Sequence, residues 1–346
     1  MRLFKLFSLL LVTLLLNACG GGGGGAASGG AASYTVSNCS DTGTAYQDAE
    51  YRGFNSAYHS LGPLSAVCAS SAYARGATGD GIQIAVVDTG IDADHHEING
   101  NLVSFTSGSD LVNSDDNPAD DHGHGSHVAG IIAAEHNNNA TIHGVAYDAD
   151  LYIFKAFNSS GSGTDATTGG AFGLIEDIAA IDIVNNSWGT NADCSSASAC
   201  RTAIGSTTYD NWEDMSQLST PKISVFAAGN DSESEPNAEC QTMAYNSDIS
   251  AVSVCVVAVS HSSLGTDGGL LADFSNQCGK VAAYCIAAPG DRIYSLTHLG
   301  SYTFSRGTSM AAPMVSGGLA LIMQEFSSLT PAQVVSRLLT TANDTS

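Results

Sequence analysis

Four segments of this chain place groups capable of acyl-transfer chemistry at the ends of expected elements. Val86-Val87-Asp88-Thr89-Gly90 closes an apolar, β-branched run with a carboxylate. Asp121-His122-Gly123-His124-Gly125-Ser126-His127 sets an imidazole at a glycine-flanked helix start, where it has room to turn. Ser305-Arg306-Gly307-Thr308-Ser309-Met310-Ala311-Ala312-Pro313 sets a hydroxyl at another helix start, where backbone N–H groups favour negative charge. Phe226-Ala227-Ala228-Gly229-Asn230 ends a further apolar run with an amide able to donate to an oxyanion. A carboxylate orients an imidazole, the imidazole removes a proton, and the freed serine attacks a carbonyl. Asp, then His, then Ser is one of three chain orders in which those parts occur.

Such groups converge only if the elements between them bring them together. Ile82–Val87, Leu151–Phe154, Ile181–Val184, Ile223–Phe226 and Val254–Val259 are short apolar runs bounded by turn residues, the pattern of buried strands. Helical patterns over Ser126–Glu135, Ala171–Ala180 and Tyr209–Leu218 lie between them. Two more helices follow, about Ser309–Phe326 and Pro331–Thr341, the second opened by Thr330 as cap. Alternating strands and helices predict an α/β fold with a mostly parallel sheet covered on both faces, and such sheets carry their chemistry beyond the carboxyl ends of the strands.

Asp88-Thr89-Gly90, His124 to Gly130 and Gly307 to Pro313 resemble the three signatures of subtilisin-like serine proteases, with Ala228-Gly229-Asn230 between the second and third. The resemblance covers about residues 78–343. It implies a three-layer subtilisin-like fold and a serine endopeptidase acting on proteins or peptides. Asp88, His124 and Ser309 would form the triad, with Asn230 in the oxyanion hole. Ser187-Trp188-Gly189 is similar to the segment that pairs with substrate backbone beside the specificity pocket. Gly161 and Gly163 fall where the opposite edge strand usually lies, against a plain loop as the other reading. No cofactor is needed for the chemistry. Structural calcium is an option near Glu97 and the Asn137–Asn139 loop, against two polar surface loops. Ser71 to Gly81, Phe274 to Gly279 and Cys285 to Gly290 resemble autotransporter-type members, whose membrane β-barrel is not seen here. The chain stops soon after Thr341, where relatives usually add another strand and helix, so a truncated product with a lost C-terminal barrel is expected.

Two rivals stand beside this reading. His122, His124 and His127 superficially resemble a zinc-hydrolase triplet, but Ser126 stands where such motifs carry Asp. An inactive surface lipoprotein that only binds is the alternative, though inactive relatives usually lose a triad member and none is lost here.

The flanks speak of export. Met1 to Lys5 is basic, Leu6 to Leu16 is mostly apolar, and Asn17-Ala18 precedes Cys19. This matches a secretory signal over residues 1–18, too short to span a bilayer, and resembles a bacterial lipoprotein signal with Cys19 as the lipidated residue. Residues 19–33 are a glycine-rich tether reaching about 20 Å, and Gly20 after the Cys, rather than an Asp, resembles the pattern sorted to the outer membrane. Residues 34–77 form an N-terminal extension too short for the usual inhibitory propeptide, and residues 78–346 the peptidase domain. Eleven Lys and Arg against 34 Asp and Glu give a net charge of −23. That excludes nucleic acid as a partner and leaves a lipid anchor as the sole membrane contact. Of nine Cys, Cys19 aside, an even set remains, which in an exported chain favours disulfides. Proximity suggests Cys194–Cys200, Cys278–Cys285, Cys240–Cys255 and Cys39–Cys68. Glu233, Glu235 and Glu239 are candidate readers of basic residues near the cut, or plain surface charge. The acidic loop Asp110 to Asp121 reads as a solvated turn.

Overall fold

The structure, a computed structural model, describes residues 17–18, 33–34, 46–51, 62–136, 141–260 and 269–344. Six strands make the central sheet: β1 (Gln83–Asp88), β2 (Asp150–Lys155), β3 (Ile183–Asn186), β4 (Ile223–Ala227), β5 (Ser253–Val259) and β6 (Cys285–Pro289). They are all parallel, in the order β2-β1-β3-β4-β5-β6. Two-residue strands at Asn17–Ala18 and Asn343–Asp344 continue the sheet past β6. Parallel strands need crossovers, and the crossovers here put helices on both faces.

The side chains of β1 show how the layers divide. Ile84 and Val86 enter one apolar cluster, Ala85 and Val87 the other, as a two-residue alternation demands. On the first face lie α1 (His124–Ala133), α5 (Thr308–Glu325) and α6 (Pro331–Thr341). On the second lie α2 (Asp165–Asp177) and α4 (Ser206–Gln217), whose Phe172, Ile175, Trp212 and Met215 are buried. α3 (Ala197–Ile204) precedes α4. This is the subtilisin-like three-layer arrangement expected from the sequence. Leu64, Val67 and Tyr73, from the segment before β1, are buried in the first cluster.

β6, α3 and the hairpin β7 (Ile293–Thr297) and β8 (Ser301–Ser305) add to the expected elements. Cys194–Cys200, Cys240–Cys255 and Cys278–Cys285 are disulfides with Cα separations of 5.0, 5.3 and 5.8 Å. Cys68 is also disulfide-bonded, while Cys39 lies outside the described residues. No helix among the described residues is long and apolar enough to cross a membrane.

Candidate active site

β1 ends in a turn through Thr89 and Gly90, and α1 begins against it. A β-carbon at Gly125 would overlap the Gly90 backbone, so the first turn of α1 lies flush on the end of β1. That contact seats His124 over Asp88. The imidazole Nδ1–H donates to Asp88 Oδ1 at 2.7 Å, and the Thr89 amide donates to the same oxygen at 2.7 Å. Asp88 is 2% exposed and His124 26%, so the second ring nitrogen is left for the cleft. Burial works against a charged His124, but the Asp88 carboxylate, as charge and as acceptor, outweighs it, with Asp120 adding a little. The net effect raises the His124 pKa above its usual value.

Ser309 is the second residue of α5. Its hydroxyl donates to the Ser187 carbonyl at 2.8 Å. Ser187 returns the bond: its hydroxyl donates to the Ser309 carbonyl at 2.8 Å. That carbonyl is open because Pro313, four residues on, has no N–H to donate to it. Behind Ser187, Asn185 Nδ2 donates to the Ser187 hydroxyl at 2.9 Å, and Ser316 donates to Asn185 Oδ1 at 2.8 Å. Both Asn185 and Ser316 are fully buried.

Asn230 is held by its oxygen. The Thr308 amide donates to Oδ1 at 2.8 Å and the Thr308 hydroxyl at 3.1 Å. Two donors identify the oxygen and leave the amide nitrogen as a free donor at the cleft. Gly229, at φ +108°, turns the chain here, and a β-carbon would overlap Asn276 and Asn237. The Ser309 amide is one of the first-turn N–H groups that a helix cannot satisfy internally.

A cleft of about 480 Å³ gathers Asp88, His124, Ser309 and Asn230, together with Ser187, Trp188 and Gly189. Trp188 is a cleft-wall aromatic, its ring centroid 5.5 Å from Phe157 and 5.6 Å from Phe226. Ser160 and Gly161 line the far side, but Gly163 does not. Residues 158–162 form a turn in which Asn158 Oδ1 accepts from Ser160 and Ser162, rather than an extended edge strand. Side-chain capping by Asn158 wins there over the extended conformation.

The zinc triplet does not assemble: His124 is committed to Asp88, and His127 Nε2–H donates away, to the Ile293 and Thr303 carbonyls. Glu97 is buried and accepts from the Tyr302 hydroxyl at 2.5 Å and the Thr141 amide at 3.2 Å. Asn137 and Asn139, the other residues named for calcium, lie outside the described residues. Glu239, fully buried, accepts from the Thr190 amide and hydroxyl, and so cannot meet a substrate.

The acidic loop is less solvated than expected. Asp120 accepts from the His122 and Gly123 amides, from Thr89, and from the amide and hydroxyl of Ser126, at 2.7 to 3.0 Å. Burial opposes its charge, but these donors hold its pKa below the usual value. It thus anchors the start of α1, and Asp121 pairs at 2.6 Å with the buried Lys155, which also donates to Thr89 O. Asn276, 1% exposed, holds the Asn230 loop through the Asp231 and Glu233 amides and Ala228 O. Sequence reading gave no role to Lys155, Asn185, Asn276 and Ser316, and took Asp120 as part of a solvated turn. The one available signal was their position beside a motif, since their partners lie far along the chain.

The chain is similar in sequence and fold to known proteins. Residues 79–346 match the subtilase family. Subtilisin DY of Bacillus licheniformis is 31% identical over 277 residues, covering 80% of this chain and 89% of that protein. An extracellular serine protease of Serratia marcescens is 30% identical over an alignment of 341 residues, covering 81% of this chain but 31% of that longer protein. The crystal structure of a cold-adapted subtilisin-like serine proteinase superposes with a TM-score of 0.58 at 27% identity, covering 78% of this chain and 86% of that one. The chain therefore belongs to the subtilase family and is a serine-type endopeptidase.

Proposed function

We propose that the chain hydrolyses peptide bonds through Asp88, His124 and Ser309, with Asn230 completing an oxyanion hole. The observation that carries this is the 2.7 Å bond from His124 to a buried Asp88, in the cleft that also holds Ser309 and Asn230. The Ser309 hydroxyl leaves the Ser187 carbonyl and turns to His124 Nε2, which takes its proton as the oxygen attacks the scissile carbonyl. The charge on the tetrahedral oxygen falls to the Asn230 amide nitrogen and the Ser309 N–H. His124 then protonates the leaving amine, and water repeats the sequence to free the acyl group. Asp88 holds the tautomer and stabilises the imidazolium. A peptide lying along Ser187-Trp188-Gly189, with Ser160 and Gly161 opposite, is bound mainly by its backbone, which asks little of its sequence.

We further place the protease outside the cytoplasm, exported by residues 1–18 and held to a membrane by a lipid on Cys19, as an autotransporter-like relative. The basic start, apolar run and Asn17-Ala18-Cys19 junction support this.

A fluorophosphonate probe tests the chemistry. The expected adduct sits on Ser309, is located by mass spectrometry and is lost in Ser309→Ala. Absence of an adduct in folded protein would refute the triad reading and favour an inactive binding protein. A palmitate analogue tests the anchor, with label expected in the wild type and absent in Cys19→Ala.

A further inference from the structure

Away from the cleft, Asp48, His136 and His143 meet beyond the C-terminal end of α1. One ligand atom from each lies within 4.8 Å of the others. His136 Nε2 is 2.6 Å from Asp48 Oδ2, an ion pair sufficient to account for those two groups. It does not account for His143. That residue is 1% exposed, and its Nδ1–H donates to the Gly144 carbonyl at 2.8 Å. The Nδ1 bond fixes the tautomer and leaves Nε2 as a lone pair, buried and without a partner. An orphaned imidazole nitrogen is costly to bury, and here it sits beside a second imidazole and a carboxylate. The His136 and His143 ring centroids are 5.0 Å apart.

We propose that Asp48, His136 and His143 form a binding site for a divalent zinc-type cation. Two imidazoles and one carboxylate suit zinc, whereas calcium and magnesium prefer oxygen donors. The bond from His143 Nδ1 to a backbone carbonyl is the support that metal-bound histidines usually have. Bonds of about 2.0–2.1 Å in a tetrahedron set ligand atoms about 3.3 Å apart. The cluster reaches that with small side-chain rotations, by opening the Asp48–His136 pair. Asp48 is 36% exposed, so water can supply the fourth ligand and the ion has an entry path. Tyr51, Tyr73 and Tyr147 pack around His143, their ring centroids 5.9, 5.7 and 5.1 Å from it. The role is structural: the ion ties the segment bearing Asp48 to the end of α1. It is independent of the protease reading.

The test uses the full chain with Ser309→Ala, to stop self-digestion, stripped with chelator and titrated calorimetrically with zinc chloride. One ion per chain is expected, with a higher melting temperature and, with cobalt(II) in place of zinc, the intense visible bands of a tetrahedral site. Asp48→Asn and His143→Phe should each weaken binding at least about 100-fold. His143→Phe fills the same volume without the orphaned nitrogen, so it should fold and melt at a temperature indifferent to zinc. No binding, binding undiminished by both substitutions, or binding of calcium in preference to zinc would overturn the proposal.

Discussion

Asn230 is gripped at one end and free at the other, and the division sets what its loss should do. Asn230→Ala removes a donor needed only when charge reaches the carbonyl oxygen, so kcat should fall about 10²–10³-fold with little change in KM. Steady-state kinetics on a peptide substrate would check this, and an equal rise in KM would count against it. His124 must be neutral to accept a proton, and Asp88 holds its pKa above the usual value. Activity should therefore fall with acid through an apparent pKa above 6.5, and the kcat/KM profile should move when Asp88 is changed to Asn. These residues were legible because each is embedded in a motif of fixed spacing. Asp120, Asn185 and Asn276 were not, since a polar residue in a loop reveals its task only when its partners arrive from elsewhere. Asp120 receives five hydrogen bonds, yet in sequence it is one acid in a run of acids.

At the scale of the element, α5 is interrupted where it matters. An alanine at position 313 would supply the missing amide, complete the bond to the Ser309 carbonyl and displace the Ser187 hydroxyl. Pro313→Ala should stabilise the helix, by up to ~3 kcal/mol, and slow turnover about tenfold through a misplaced serine. A urea midpoint beside kcat would show both, and a more active variant would refute the link. The five expected strands were readable from β-branched runs, and α6 from Thr330 as cap and Pro331 at its first position; Thr330 forms the capping box found there with Gln333. β6 was not readable: Cys285-Ile286-Ala287-Ala288-Pro289 is short and alanine-rich, and only its place beside β5 makes it a strand. α3 was hidden by its serine-rich start, although Ser196 does cap it, accepting from the Ala199 amide.

For the whole molecule, acid is the expected weakness. Burial, with a smaller push from His124, brings the His127 pKa down to about 4. The unfolded chain therefore binds a proton between pH 6.5 and 4 that the folded chain refuses, and stability drops across that window as pH falls. Urea midpoints should decline over it, and His127→Phe should flatten the decline even if it lowers the midpoint overall. An unchanged slope would assign the acid sensitivity elsewhere. Architecture also governs when the enzyme exists at all. Asp88 leaves β1 early in the chain, while Ser309 arrives on α5, which packs against β3, β4, β5 and β6, all of which precede it in the chain. The Cys194–Cys200, Cys240–Cys255 and Cys278–Cys285 disulfides span sequence separations of 6, 15 and 7 residues and link none of these groups to another. For the proposed triad, a chain still emerging from the ribosome lacks Ser309, and one threaded unfolded through a pore holds the three groups apart; neither is a catalyst. With the proposed triad, proteolysis waits for α5 to dock on the sheet, so the length of the polypeptide itself acts as the safety catch.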